Sequence, residues 1–380
     1  MTTAQQQFLE LLRAGLWGTP AVPEHFSPEA TDWKAILRIA KEQTVLVIVA
    51  DGIETLPKEF WPPKEMMLKI MMVRVKTAQM HQLMNATINQ VVKALDAAGI
   101  PSVLLKGQGV AQNYRKPESR SCGDIDLYVG EENYKRACVI VESLDKDNPK
   151  HKPSIESNHH MHLSLNGIEI ELHRFADYTQ GKRQSDKIKQ WTRMSIDQNF
   201  HTDKLAKWDY NGTPINLPPH TYNSLFIIHH AMRHMIKEGI GLRQICDWAM
   251  MLHRYHSEID ETLLQEKLNE FRLESVWNIF GRFAVNFLGL SAEQLPLSGR
   301  NVSVSKVNAV LVDIFNSGNF GRFDADGKDL RKGGYIKRKW RSFRFKSSRL
   351  FKLITLFPSY TIPYGFNWLV NGIYVAVRGK

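Results

Sequence analysis

The sequence predicts an α+β fold, with a small mixed β-sheet embedded between helical N- and C-terminal regions. Three observations carry that reading. Residues 64–98 run without Pro or Gly and are rich in Met, Leu, Val, Lys and Gln, the composition of one long helix. The run Arg120-Ser-Cys-Gly-Asp-Ile-Asp-Leu-Tyr-Val129 alternates polar and apolar from Asp124 onward, the two-residue period of a half-buried strand. Asn166-Gly167 separates two further alternating runs, and this pair tolerates the positive φ angles of a two-residue hairpin turn. Strand, helix, strand, helix and hairpin in that order make a small sheet layered with helices. The expected division is a helical region over 1–100, an α+β core over 101–177, a helical domain over 178–330 and a basic amphipathic tail over 331–380.

Phe8, Leu9, Leu11, Leu12 and Leu16 mark a first amphipathic helix, with a second from about Asp32 to Lys41 and a third from about Thr44 to Ile53. Pro57, Pro62 and Pro63 punctuate the chain before the long helix. Its methionines (Met66, Met67, Met71, Met72, Met80 and Met84) read as core filler, since the thioether chain is flexible and apolar. Gly99 ends that helix. Pro101 to Gly107 reads as a buried strand, and Gln108 to Tyr114 as a short helix. A loop through Pro117 to Gly123 leads into the Asp124 strand. Glu131 to Leu144 is then helical, its early acids matched to the positive end of the helix dipole. Lys146 to Ser157 is a polar loop. Beyond Asp177, Asn211-Gly212 within Trp208 to Leu217 predicts a second hairpin. Helices are expected at about 219–237, 241–256, 260–271, 273–288 and 303–316.

The strand period places Asp124 and Asp126 on one face and Ile125, Leu127 and Val129 on the other. Two adjacent carboxylates repel unless a cation lies between them, and their oxygens are the ligands Mg²⁺ prefers. The alternative is a solvated edge strand with two surface acids. In the hairpin the turn fixes the register: Leu165 opposite Ile168, Ser164 opposite Glu169, Leu163 opposite Ile170, His162 opposite Glu171, Met161 opposite Leu172 and His160 opposite His173. One face is then wholly apolar. The other gathers His160, His162, Ser164, Glu169, Glu171 and His173. Two glutamates facing a histidine cluster suit a site lining, with a surface His–Glu pair as the plain alternative. Asp124, Asp126 and Glu171, with Glu169 as a further candidate, can hold two divalent ions about 3.5–4 Å apart, the arrangement for in-line phosphoryl displacement. Lys106 and Gly107, at a strand end leading into a helix, can present a cation and backbone N–H groups to phosphate. Arg120 can clamp triphosphate oxygens with its planar fork. His162 and His173 complete the candidate substrate-binding set.

With 43% hydrophobic and 23% charged residues, the composition is that of an ordinary globular chain. Cys122, Cys138 and Cys246 have no metal-ligand spacing and no even count, which fits a reducing compartment without a disulfide framework. Met1-Thr-Thr-Ala-Gln-Gln-Gln has neither a basic nor an apolar segment of a secretory signal, so a cytoplasmic location is expected. The net charge of +11 is uneven. Residues 331–380 hold twelve of the fifty Lys and Arg and no Asp or Glu, leaving 38 basic against 39 acidic residues over 1–330. A uniformly basic nucleic-acid binder does not look like this, and RNA is not an expected partner.

Leu104-Leu-Lys-Gly107, Tyr114, Pro117, Arg120, Gly-Asp-Ile-Asp-Leu127 and Glu171-Leu-His-Arg174 together resemble the bacterial proteins grouped as uncharacterised nucleotidyltransferases, within the polymerase-beta-like nucleotidyltransferase superfamily. The resemblance continues through His229, His230, His234, Arg243, Asp247 and Gly318-Asn-Phe-Gly321. It implies that 101–177 is a nucleotidyltransferase-like core, that Asp124 and Asp126 are paired metal ligands with Glu171 as third carboxylate, and that Lys106 and Arg120 face substrate. One departure stands out. The wider superfamily usually carries a Gly-Gly or Gly-Ser pair before the two-acid strand to hold the triphosphate, whereas this chain reads Lys106-Gly107-Gln108 with a longer gap to Asp124.

The activity implied is Mg²⁺-dependent transfer of a nucleoside monophosphate from a nucleoside triphosphate to a small-molecule or biosynthetic-intermediate acceptor, with two Mg²⁺ ions. The competing reading is a catalytically inactive nucleotide- or phosphate-binding accessory protein at a membrane surface in envelope or polysaccharide biosynthesis. His230 and His234 share a helix face at a spacing that binds zinc, but no third ligand stands nearby in sequence, and a polar patch is the expected role. Arg243 and Asp247 are expected to pair along the next helix. In the tail, Ile336, Trp340, Phe343, Leu350, Ile354 and Phe357 recur near helical spacing among Lys and Arg. Such a helix either contacts an anionic membrane surface, peripherally on its inner face, or docks on the body with a solvated basic side. Leu353 to Val377 lacks charge, but Pro358, Ser359, Pro363, Asn367 and Asn371 are expected to interrupt a span.

Overall fold

The computed structural model describes residues 1–145, 154–156, 160–299, 301–321 and 334–378. Most of the polar loop expected over Lys146 to Ser157, together with His159 and the tail's Arg331 and Lys332, lies outside the described residues. Three helices open the chain, α1 (Thr3–Trp17), α2 (Trp33–Glu42) and α3 (Leu46–Ile53), followed by the long α4 (Lys64–Ala97). Then come β1 (Val103–Leu104), α5 (Gln108–Ala111), β2 (Asp124–Tyr128), α6 (Gly130–Ser143), β3 (Ile155–Glu156), β4 (His160–Leu165) and β5 (Ile168–His173). Helix α7 (Lys182–Ser195) precedes the hairpin β6 (Ala206–Tyr210) and β7 (Thr213–Leu217). The remainder is α8 (His220–Lys237), α9 (Leu242–Tyr255), α10 (Glu261–Glu270), α11 (Glu274–Phe283), α12 (Val304–Ser317), α13 (Tyr335–Ile354) and α14 (Pro358–Arg378). The α+β class stands. Neither α7 nor the two-residue β3 was expected from the sequence.

These elements form two compact units. One comprises Lys64–Tyr178 and Asp186–Asn223; the other comprises Met1–Pro63, Thr179–Ser185 and Ser224–Lys380. The long helix therefore groups with the sheet, whereas the sequence division had placed it in the N-terminal helical region.

In the first unit the sheet order is β1-β2-β5-β4-β3, with β2 and β5 parallel and the other pairs antiparallel. All six expected pairs of the β4–β5 hairpin are present. Asn166 and Gly167 take φ of 55° and 76°, the doubly positive geometry that this turn requires. Ile125, Leu127, Val129, Leu163, Leu165, Ile168, Ile170 and Leu172 form one core with Met84, Ile88, Val91, Val92 and Leu95 of α4 and Tyr134, Ala137, Cys138 and Val141 of α6. Burying such side chains contributes about 1.5–3 kcal/mol each, so the helices are held to one face and the polar face is left for other work.

The core-filler reading of the α4 methionines holds for Met84 but not for Met71 and Met72, which are 41% and 72% exposed. The reason is length. A 34-residue helix is about 51 Å long and a five-residue strand about 17 Å, so the N-terminal half of α4 overhangs the sheet. The strand expected over Pro101 to Gly107 is also shorter, because the ladder with β2 runs through Val103 and Leu104 and closes at the Leu105 N–H before the chain turns at Gly107. Similarly, α5 stops at Ala111 rather than Tyr114.

In the second unit α1 and α3 cross where glycines permit it: a Cβ at Gly15 would overlap the Ile48 carbonyl, and one at Gly52 the Leu11 carbonyl. The tail is docked. Arg349 of α13 is buried, donating to Asp313 Oδ2 (2.9 Å), Ser317 Oγ (3.1 Å) and the Met235 carbonyl. Tyr360 Oη and His229 Nε2 lie 2.8 Å apart. Pro358 begins a new helix, as expected of an interruption, but Pro363 lies within α14. Among the described residues no helix is long and apolar enough to cross a membrane.

Candidate active site

The parallel pairing of β2 with β5 sets Asp124 opposite Glu169 and Asp126 opposite Glu171, while β4 sets His162 opposite Glu171 and His160 opposite His173. Because side chains alternate, the polar members of these three strands share one face. Carboxylate oxygens of Asp124, Asp126 and Glu171 come within 4.8 Å of one another. Glu169 is exposed beyond them.

Asp126 is the buried centre, 1% exposed. Its Oδ1 accepts from Lys106 Nζ at 2.9 Å and His173 Nε2 at 2.8 Å. Burial alone raises a carboxyl pKa, but the Lys106 charge and the His173 hydrogen bond outweigh it and hold Asp126 well below the usual carboxylate range. The same interactions act in reverse on the partners. Burial works against the charged forms of Lys106 and His173, and the carboxylates overcome it, raising both. Glu171, also penalised by burial, is drawn down chiefly by its hydrogen bond with His173, 3.4 Å away. His162 Nδ1 lies 3.4 Å from Glu171 Oε1.

Local backbone features place these groups. Leu105 donates its N–H to the Asp126 carbonyl (3.0 Å), so the next residue, Lys106, emerges beside Asp126. Gly107 has φ of +59°, and a Cβ there would sit 3.2 Å from the Asp124 carbonyl, so both dihedral and space favour glycine. Asp124, Asp126, Glu171, Lys106, His162 and His173 are thus brought together, with Gly107 abutting the Asp124 backbone.

Arg120 sits differently. It is 5% exposed, and its guanidinium donates to Cys122 Sγ (2.9 Å) and the Ser121 carbonyl (3.3 Å). Its own carbonyl lies 2.6 Å from His81 Nε2 of α4; a carbonyl only accepts, so Nε2 carries the hydrogen. Cys122 Sγ donates to Gln108 Oε1 (2.6 Å), and Gln108 Nε2 donates to Asn85 Oδ1 (2.6 Å). Burial disfavours the Cys122 thiolate, yet the Arg120 charge and His81 bring its pKa down. This network braces the loop entering β2. Sequence reasoning missed His81, Gln108 and Cys122, which carry no local signal. His160 was placed on the polar face but left out of the site, although its register opposite His173 marked it.

His234 Nδ1 lies 2.8 Å from Glu238 Oε1, and among the described residues His230 and His234 belong to no cluster able to hold a metal ion.

No curated protein matches the chain. Among solved structures, an antigenic nucleotidyltransferase-like protein from Paracoccidioides brasiliensis is 14% identical and matches over 50% of this chain and 90% of that one, with a TM-score of 0.29. The family described as uncharacterised nucleotidyltransferase matches residues 29–289, more than half of the chain, and this protein belongs to it.

Proposed function

We propose that the protein is a Mg²⁺-dependent nucleotidyltransferase that moves a nucleoside monophosphate from a nucleoside triphosphate to a hydroxyl or phosphate of a small-molecule or biosynthetic-intermediate acceptor. The observation that carries this reading is the convergence of Asp124, Asp126 and Glu171 from adjacent parallel strands. Their all-oxygen donor set suits Mg²⁺, and the depressed pKa values of Asp126 and Glu171 keep both ionised at neutral pH. These three residues would hold two ions, which when bound lower the pKa of an attacking hydroxyl and neutralise a leaving pyrophosphate.

The rest of the chemistry falls to the chain. Lys106 places a positive charge next to Asp126, where it can face the α-phosphate as the acceptor oxygen bonds to phosphorus and the bond to pyrophosphate breaks. His173 fixes the orientation of Asp126 and touches Glu171, so it acts as a positioning residue for both. His162 lines the same face and Gly107 admits close approach of the backbone. Asp124→Ala is expected to lower turnover by about a thousand-fold or more, the effect of several kcal/mol of lost transition-state stabilisation, with an unchanged melting curve. Full activity in that variant would end the proposal.

The accessory-protein reading draws on one observation: Arg120 is turned onto Cys122 and Lys106 onto Asp126, and no Gly-Ser pair cradles a triphosphate. Calorimetry with nucleotides separates the two readings. Binding that requires Mg²⁺ supports the transferase, and binding indifferent to it supports the accessory role.

The anionic inner face of a membrane completes the proposal as a partner of the tail, in a cytoplasmic protein whose three cysteines are all free. Support comes from α13 and α14, which expose Trp340 (65%), Phe343, Phe351 (74%), Ile362 and Phe366 on segments without any acid. Aromatic and basic groups together suit headgroups, each Lys or Arg contributing about 1 kcal/mol near such a surface. The full chain should sediment with phosphatidylserine vesicles and not with phosphatidylcholine alone. Trp340→Ala combined with Phe351→Ala should weaken that association about tenfold, and an equal affinity for neutral vesicles would remove the membrane from the proposal.

A further inference from the structure

We propose that His160, Glu171 and His173 form a second, chemically distinct metal site, selective for a nitrogen-preferring divalent ion of the zinc class over Mg²⁺. The inference builds on the proposed role of Glu171 as a metal ligand, because this carboxylate belongs to both groups.

The register creates the site. His160 of β4 stands directly opposite His173 of β5, and Glu171 lies two residues along β5 on the same face, so two imidazoles and one carboxylate converge from two strands. One ligand atom from each comes within 4.8 Å of the others. The individual distances are informative. His173 Nε2 is 3.4 Å from Glu171 Oε2, and His160 Nε2 is 3.8 Å from that same oxygen. Both are longer than the commonest hydrogen-bond length of about 2.9 Å, the shorter being the His173–Glu171 hydrogen bond. The shorter matches the edge of a tetrahedron around zinc, since two ligands each about 2.1 Å from the ion lie about 3.4 Å apart, and the longer exceeds that edge by about 0.4 Å.

The donor set also separates this site from its neighbour. Asp124 and Asp126 offer only carboxylate oxygens, the hard donors suited to Mg²⁺. Two imidazoles with one carboxylate are the protein ligands of a catalytic zinc site, in which a fourth position stays open. His162 stands at the rim, its Nε2 3.0 Å from His160 Nε2. His173 Nε2 also lies 2.8 Å from Asp126 Oδ1, so an ion and that hydrogen bond compete for one nitrogen. Glu171 would connect the two metal positions, and a zinc-class ion would fix its carboxylate with respect to Asp126.

The test uses the full chain stripped of metal by a chelator and titrated with Co²⁺ as a coloured stand-in for Zn²⁺. The expected result is one equivalent with visible ligand-field bands, displaced by Zn²⁺ and not by excess Mg²⁺. His160→Ala should weaken Co²⁺ binding at least tenfold and leave Mg²⁺ binding intact. Asp124→Asn should do the opposite, losing Mg²⁺ and keeping the cobalt spectrum. The inference is overturned if no such equivalent appears, if Mg²⁺ displaces it, or if His160→Ala leaves it unchanged. Should His160→Ala fail to fold, His160→Asn and the Mg²⁺ competition on the unmodified protein decide the matter. Loss of the cobalt site with Mg²⁺ binding retained would refute this inference alone; loss of Mg²⁺ binding in the unmodified protein would refute the proposed transferase.

Discussion

The hairpins β4–β5 and β6–β7 begin from the same local instruction and end in different roles. Both turn on Asn-Gly, with φ of 55° and 76° at Asn166 and Gly167 and of 52° and 78° at Asn211 and Gly212. Both pair antiparallel around that turn and set an apolar face against the same core, through Leu163, Leu165, Ile168, Ile170 and Leu172 in one and Trp208, Tyr210, Ile215 and Leu217 in the other. They differ in what lies beside them. β5 pairs in parallel with β2, which brings Asp124 and Asp126 alongside Glu171, whereas among the described residues β6 and β7 pair with each other alone. The turn fixes which side chains share a face, and the neighbouring strand decides whether that face becomes a site.

Breaking the comparison at the acids should give the largest effect. Glu171→Gln is expected to reduce the proposed nucleotidyl transfer by about a hundred-fold or more, since a carboxylate proposed to hold metal loses its charge. Asp209→Asn, on the other hairpin, keeps an oxygen able to accept from the Gly212 N–H and should leave turnover within about two-fold. Steady-state kinetics on the two variants checks both.

The next effect concerns stability against pH in the metal-free protein. Asp126 is depressed below its usual 3.8, so its contribution is present above 3.8 and lost as pH falls through the lowered value. His173 is raised above its usual 6.5, so its contribution is complete below 6.5 and lost as pH rises through the raised value. Stability should therefore plateau between the two. Asp126→Asn should lower that plateau by about 3 kcal/mol, because two cations lose their partner, and should flatten both flanks. Denaturation curves across pH would show it, and unchanged flanks would refute the pairing.

The smallest effect sharpens the likeness. A Cβ on Gly167 or Gly212 would meet nothing within 4 Å, so Gly→Ala at either position has a purely conformational cost, about 1 kcal/mol. Urea unfolding should return nearly equal losses for the two variants. A large inequality would mean that the turns are not equivalent.

What could be read from the sequence was what local chemistry determines. The six pairs of the β4–β5 hairpin followed from turn type and alternation, and the clustering of Asp124 and Asp126 from a period of two. Helix α2 begins where Asp32 caps it, accepting from the Ala35 N–H. What escaped was non-local. That Glu171 stands on a strand beside Asp124 and Asp126 was expected, but the parallel direction of β2 and β5, which joins segments 45 residues apart, is specified by nothing in either strand. The contact of His81 with Arg120 spans 39 residues and depends on how α4 lies against the loop before β2. The sequence also gave no measure of how far α4 extends past the sheet, and so Met71 and Met72 were assigned to the core.

In the proposed transferase, Lys106 has a consequence for how the protein persists between turnovers. Its ammonium, 2.9 Å from Asp126 Oδ1, is an internal counter-ion anchored to the chain itself. One negative charge of the acidic cluster is thus balanced by the chain itself, without a dissolved cation. Under the proposed function, loading the site becomes an exchange, in which a flexible four-carbon stem would hand one positive charge from a carboxylate to an arriving polyanion.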